Sequence, residues 1–297
     1  MAHQALESLI FKHKGIYFMK DLATPEVVDS IEHMKVRDSD VFLVTYPKSG
    51  TIWAQQILSL ILNEGHRNET ENIDNIERAP WIEYNIYNAD FSSRPSPRLF
   101  SSHLPYYLLP RDLRSRIGKV IYVYRNPKDA MVSFYHFYQM FSKLSYPVDF
   151  ETFADFFMSG KVIGGSWFDH VRGWYTHKED FNILFLTYEE MKKDLRSVVL
   201  KICKFVDIRL DEKAIDIVLE KATFNNMKCD PHANYSFFPN DILDQSRGKF
   251  LRKGTIGDWK NLMTVAQNEK LNQICKEKLG DLPIKFVWDI KEEETAS

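Results

Sequence analysis

Three times in this chain a short, fully apolar run passes straight into a helical pattern, and that repetition constrains the fold more than any other feature. Val41–Tyr46, Lys119–Tyr124 and Asn182–Tyr188 are β-branched and aromatic stretches, too apolar on both faces for a half-exposed hairpin. The helical patterns that follow them are Thr51–Asn63, Pro127–Phe141 and Tyr188–Val206. Strand-then-helix units predict an α/β fold, a single domain with a central parallel β-sheet flanked by helices. Ligands of such sheets bind beyond the carboxyl ends of the strands, so the functional residues belong in the strand-to-helix turns. No repeat, low-complexity tract or Gly/Ser-rich linker divides the 297 residues, and one domain over 1–297 is expected, with the charged stretch 291–297 frayed. Two polar, proline-containing segments, Glu64–Pro97 and Lys228–Lys249, read as long loops of the kind that become lids or binding segments.

Composition limits the partners. With 39 basic and 41 acidic residues mixed along the chain, no global field recruits nucleic acid or an anionic membrane, so any anion site must be local. Cys203, Cys229 and Cys275 are odd in number and fit neither a disulfide framework nor a zinc site; they read as reduced thiols. The N-terminal stretch MAHQALESLIFKHKGIYF lacks a basic region followed by a long apolar one, and no window reaches a membrane-spanning length. A cytoplasmic protein is expected.

The first seam, Pro47-Lys48-Ser49-Gly50-Thr51, places Gly and Thr where a helix begins. Backbone N–H groups at a helix N-terminus have no internal partner and carry partial positive charge, which makes a cradle for phosphate. Lys48 adds a full charge there, and Ser49 and Thr51 add hydroxyls. Read alone, the string is equally consistent with an ordinary capped helix and a solvated lysine. It differs from the nucleoside-triphosphate loop G-x-x-x-x-G-K-[ST], because the lysine precedes the only glycine and no aspartate closes a neighbouring strand as a magnesium ligand. Phosphate binding without metal is the expectation.

Two further clusters point the same way. Lys119–Tyr124 ends in Arg125-Asn126-Pro127-Lys128-Asp129, with Pro127 suited to a first helical position and Ser133 two turns on. Phe250-Leu251-Arg252-Lys253-Gly254 is basic, and its glycine lets backbone amides approach an anion closely. Arg125 and Ser133 could grip a second phosphate; each cluster taken singly reads as surface charge, whereas the three together in this order point to an anion site.

YPKSGTIW (Tyr46–Trp53), YRNPKDAMVSFYHF (Tyr124–Phe137) and FLRKGTIGDWK (Phe250–Lys260) resemble the cofactor-binding signatures of the cytosolic sulfotransferases, over a span from about Phe11 to Asp289. Within that family, RPSPRLFSSHLPYYL and WFDHVRGWY resemble the amine sulfotransferase branch. The resemblance implies 3′-phosphoadenosine 5′-phosphosulfate (PAPS) as co-substrate, no metal, and transfer of its sulfuryl group to a small acceptor. It implies that Lys48, Ser49, Gly50, Thr51, Ile52 and Trp53 form a P-loop-like phosphosulfate-binding loop. By the same resemblance Arg125 and Ser133 hold the 3′-phosphate, joined by Arg252, Lys253 and Gly254, with Phe250 and Leu251 counted among the cofactor-binding residues; adenine lies between Trp53 and Phe224, near Tyr188 and Thr223. Ile52 departs from the Thr or Asn of many relatives, so a hydroxyl is lost while the backbone amide remains.

Sulfuryl transfer needs an acceptor stripped of its proton and stabilisation of the charge growing on the departing oxygen. His103, at the end of the strand-like run Arg98–Ser102, is the candidate general base, although eight other histidines make a purely structural role a fair alternative. Lys48 would neutralise the leaving oxygen, and the resemblance implies that Ser133 restrains Lys48 until an acceptor arrives. Many phenol-sulfating relatives carry a lysine two residues before the histidine; Ser101 here predicts a changed acceptor environment. Phe18, Trp81, Tyr84, Phe137, Phe141, Phe168 and Tyr235 fall in segments that border the acceptor in relatives, and an aromatic lining suits flat or bulky apolar molecules. No carboxylate interrupts Ser133–Tyr146, which favours neutral aryl or heterocyclic amines, phenols or alcohols over strongly cationic amines. Lys260–Glu269 matches the family's K-x-x-x-T-V-x-x-x-E dimerisation segment, implying a homodimer in which each Lys260 approaches the partner's Glu269 around Val265; the alternative is a helix start capped by Thr264. Competing readings are a catalytically idle nucleotide-binding protein on the same scaffold, and an ATP- and magnesium-dependent kinase, against which the missing G-x-x-x-x-G-K argues.

Overall fold

The computed structural model describes residues 7–66, 72–84, 90–144 and 148–289. The proposed frayed stretch 291–297 lies outside them. Four strands, β3 (Val41–Thr45), β4 (Leu99–Ser102), β5 (Lys119–Tyr124) and β6 (Ile183–Thr187), form one parallel sheet in the order β4-β3-β5-β6. A separate antiparallel hairpin joins β1 (Ile10–His13) to β2 (Ile16–Met19).

The sheet is parallel because its central strands are apolar on both faces. Every residue of β3 is buried, with odd positions such as Val41 and Leu43 in one core and Phe42 and Val44 in another across the sheet. Registers are direct: Val41 lies opposite both Leu99 and Lys119, and Val120 opposite Ile183. The start of β4 is tied to that of β3 by a buried ion pair, in which Arg98 Nε donates to Asp40 Oδ1 at 2.8 Å. Removing one side of such a pair typically costs about 3–5 kcal/mol.

From β3 the chain moves to β4 on one side, and from β5 to β6 on the other. The switch point therefore lies between β3 and β5, and there the sheet opens a crevice. Helix α1 (Thr51–Leu62) leaves β3 toward it and α2 (Pro127–Tyr138) leaves β5, with Asn126 capping the latter through the N–H of Asp129 and Pro127 at its first position. Helix α3 (Trp167–Thr176) packs beneath the crevice. The helical run after β6 is not continuous. It breaks into α4 (Tyr188–Lys193) and α5 (Leu195–Val206) at Asp194, whose carboxylate accepts the N–H of Ser197 and starts a new helix. Helix α6 (Phe224–Cys229) and the long α7 (Val265–Leu279) follow.

Candidate active site

The loop after β3 turns through two left-handed residues, Lys48 (φ 67°) and Gly50 (φ 98°). Glycine is required at 50 twice over: the φ is positive, and a Cβ would stand 2.8 Å from the Tyr188 ring. No side chain caps α1, so the N–H groups of its first turn, Thr51 to Trp53, have no partner within the helix. Ser49 behaves differently from the expectation. Its N–H is spent on Tyr46 O (3.2 Å) and its hydroxyl is fully buried outside the cavity lining, because the tight turn rotates that side chain inward.

Around this loop lies a cavity of about 440 Å³. Into it the structure brings Lys48, Gly50, Thr51, Ile52, Trp53, Arg125, Ser133, Tyr188, Thr223, Phe224, Phe250, Leu251, Arg252, Lys253 and Gly254, residues scattered over some 200 positions. Arg125 is 7% exposed; its guanidinium lies over the Tyr188 ring at 4.3 Å and donates to Thr255 O at 2.7 Å. The Nε of Arg125 and the Nε of Arg252 are both buried without a hydrogen-bond partner among the described residues. Buried donors left unmade are costly unless a ligand satisfies them, so this end fits an anion. Arg252 and Lys253 both pair with Asp258, at 2.5 and 2.6 Å, which keeps their heads together at the cavity rim. Trp53 is braced by its Nε1 donating to Ala222 O (2.8 Å) and by an edge contact with Tyr188. Gly254 approaches the opposite ring so closely that a Cβ would meet Phe224 at 2.5 Å.

Lys48 Nζ lies over the rings of Phe137 (4.4 Å) and Phe250 (5.4 Å). Desolvation and the nearby guanidinium groups of Arg125 and Arg252 pull its pKa down to about 7. Opposite it stands His103. Its Nδ1–H donates to Thr45 O at 2.8 Å, leaving Nε2 as the lone-pair nitrogen, and burial pulls its pKa down to about 3. Thr45 Oγ1 reaches both His103 Nδ1 (3.1 Å) and Thr51 Oγ1 (2.6 Å), so the histidine and the first residue of α1 share one hydrogen-bond chain.

The other end of the cavity is apolar. Trp81, Tyr84, His103, Phe137 and Tyr235 line it, together with Met19, Leu22 and Phe238, which sequence reasoning missed. Phe18, Phe141 and Phe168 do not. Each is 1% exposed and turned into the core, Phe18 stacked on Phe11, Phe141 edge-on to Tyr138, Phe168 edge-on to Trp167. Aromatic type alone does not separate lining from packing. Ser101 also turns away, its hydroxyl donating to Ala79 O (2.9 Å) and accepting from Gln55 Nε2 (2.8 Å). Gln55 Oε1 in turn accepts from Tyr235, whose hydroxyl accepts from Trp81 Nε1, so Ser101 reaches the apolar end through this relay. Lys192 and Thr255, which line the cationic end, were missed. Lys192 follows Tyr188 by one helical turn, a spacing that the pattern already contained.

Residues 38–283 match the model of the sulfotransferase domain family. The chain belongs to the sulfotransferase family. Among known sulfotransferases, an amine sulfotransferase of Oryctolagus cuniculus is 51% identical to it over 290 residues, 97% of this chain and 96% of that one. Sulfotransferase 2B1 of Mus musculus is 42% identical over 96% of this chain and 85% of its own length. Mouse sulfotransferase SULT7A1, solved in complex with PAP, superposes with a TM-score of 0.75 at 32% identity, covering 92% of this chain and 95% of the other. A retinol dehydratase solved with retinol and PAP shares the fold at 22% identity, with a TM-score of 0.83 over 96% of this chain and 95% of that one. The parallel sheet and flanking helices of this sulfotransferase are thus the fold read from its strand-helix repeats.

Proposed function

We propose that this sulfotransferase moves the sulfuryl group of PAPS to a small, neutral acceptor, an aryl or heterocyclic amine, a phenol or an alcohol. The observation that carries the reading is a single cavity with unsatisfied cationic donors at one end and a neutral imidazole, its Nε2 free, at the apolar other. Arg125, Ser133, Arg252, Lys253 and Gly254 would hold the 3′-phosphate, and the first turn of α1 with Lys48 the 5′ end, while the ring would enter between Trp53 and Phe224. Bound there, PAPS supplies an activated sulfuryl group whose S–O bond to the 5′-phosphate breaks as the bond to the acceptor forms. His103 Nε2 takes the acceptor's proton. Lys48 offsets the charge left on the departing phosphate oxygen. The low pKa keeps His103 neutral and able to accept, and anions held beside Lys48 make its protonation easier. The amine sulfotransferase supports nitrogen acceptors, and a 3-beta-hydroxysteroid sulfotransferase of Cavia porcellus, 41% identical over 93% of this chain and 96% of its own, supports hydroxyl ones.

The deciding experiment offers radiolabelled PAPS to the protein with a panel of arylamines, phenols and steroids, and the wild type is expected to label at least one acceptor far above His103→Ala. Labelling of none above that variant would leave a nucleotide-binding protein without transfer. Three free thiols, Cys203, Cys229 and Cys275, support a cytoplasmic setting.

A homodimer through Lys260–Glu269 is part of the same reading. Thr264 does cap α7, in a reciprocal box with Gln267, and this cap leaves Val265 standing 73% exposed just inside the helix start. A large apolar residue held out by a rigid cap suits a two-fold contact. Lys260 already pairs with Asp289 in its own chain, so the apolar centre would carry the association. Val265→Glu is expected to give monomers in sedimentation velocity with unchanged turnover. A variant that sediments as the wild type would remove this surface from the assembly.

A further inference from the structure

Glu83 lies between two residues that line the acceptor end, Trp81 and Tyr84, yet its own side chain is 1% exposed and stays out of the lining. Its Oε1 accepts the backbone N–H of His103 at 2.6 Å, whereas its Oε2 is buried with no hydrogen-bond partner among the described residues. Desolvation pushes this carboxyl up to about 7, against the opposing pull of the N–H groups of His103 and Glu83 itself and of the Ser102 hydroxyl. Burying a carboxyl with half of its bonding capacity unused is expensive, and satisfying one loop amide does not require it.

What the carboxyl holds explains its presence. His103 is gripped at each polar point except the one that reacts. Its ring Nδ1–H goes to Thr45 O at the end of β3. Its carbonyl accepts from His170 Nε2 (3.1 Å) on α3, and His170 is set in that tautomer by the Tyr122 hydroxyl donating to Nδ1 (2.9 Å). The imidazole also packs against Trp81, with ring centroids 4.4 Å apart. The remaining backbone group, the N–H, is the one Glu83 takes. Without it the peptide before the imidazole is free to turn, and the ring would pivot on Thr45.

We propose that Glu83 is a positioning residue for sulfuryl transfer, its Oε1 clamping the His103 peptide so that Nε2 faces the acceptor. The work falls to the oxygen that meets the peptide N–H, so a neutral carboxamide oxygen in the same place should serve as well. This rests on His103 being the base, and the test separates the two. Measured quantities are kcat, acceptor KM and the Kd of adenosine 3′,5′-bisphosphate for Glu83→Gln, Glu83→Asp and Glu83→Leu, each alone and on a His103→Ala background. Glu83→Gln keeps a carbonyl oxygen in place and is expected within about threefold of wild-type kcat. Glu83→Asp withdraws the oxygen by a methylene and Glu83→Leu deletes it; both are expected to lose roughly 10- to 100-fold in kcat, the scale of an ångström's misplacement, with nucleotide Kd unchanged. On His103→Ala none of them should cost anything more, because they act through that side chain.

The clamp is overturned by wild-type kcat in Glu83→Asp and Glu83→Leu. It is equally overturned if Glu83→Gln falls as far as Glu83→Leu, or if losses persist undiminished on His103→Ala. Should Glu83→Leu fail to fold, the contrast between Gln and Asp decides alone, since a role for the charge predicts the reverse order. Full turnover by His103→Ala itself would instead remove the base assignment, whatever the Glu83 variants do.

Discussion

Replacing His103 with alanine is expected to lower kcat by roughly 10²- to 10⁴-fold while leaving nucleotide affinity within about twofold, the range spanned by loss of a positioned general base. The reasoning is geometric. Nδ1 is committed to Thr45 O, so only Nε2 can take a proton, and burial holds the ring neutral above about pH 3. The cationic end of the cavity does not depend on this side chain, because the Arg125 and Arg252 heads are braced by Thr255 O and Asp258 instead. Isothermal titration with adenosine 3′,5′-bisphosphate and steady-state kinetics on one labelled acceptor measure the two quantities. An equal loss in both would make the histidine part of the scaffold.

The second large effect is expected from Lys48→Met. Loss of the charge that meets the departing oxygen should cost about 10²- to 10³-fold in kcat, equivalent to about 2.7–4 kcal/mol of transition-state stabilisation. The same variant carries a signature in binding. In the free protein the Lys48 pKa is lowered to about 7, so at pH 8 the amine is mostly neutral. A phosphate beside it favours the charged form and raises that pKa again. Nucleotide binding at pH 8 should therefore take up close to one proton per site, and affinity should weaken as pH rises from about 7, by up to a decade per unit. Titrations in two buffers of different ionisation enthalpy read the uptake directly. Wild type should show it and Lys48→Met should not. The thermal midpoint of the free variant should equal or exceed that of wild type, since folding no longer buries an amine that must give up its charge near Arg125 and Arg252. A large drop in that midpoint with turnover intact would reassign Lys48 to structure.

The strands and the turns were legible because their signals are local. Val41–Thr45, Lys119–Tyr124 and Ile183–Thr187 are apolar on both faces, which only a covered parallel sheet accommodates, and strand ends are where such sheets bind ligands. Gly50, Arg125 and Gly254 could be picked out for the same reason, each being a residue type whose backbone or charge is unusual at a strand-to-helix seam or in a basic loop. The break at Asp194 was missed, since an Asp inside a helical pattern reads as a tolerated polar residue until its carboxylate is seen to cap Ser197.

Long-range orientation was beyond the sequence. Nothing in Phe18, Phe141 or Phe168 distinguishes them from Phe137, because burial of an aromatic is equally favourable in a core or against a ligand, and only the packing of neighbouring elements decides which face is vacant. Ser49 and Ser101 were turned inward by a tight loop and by Gln55, and Glu83 was brought under His103 from twenty residues away. The amino-acid order thus determined which chemistry this sulfotransferase carries, through types and spacings that act locally. Which side chains face the acceptor was decided by tertiary structure alone, because that depends on hydrogen bonds and contacts between segments that the chain order keeps far apart.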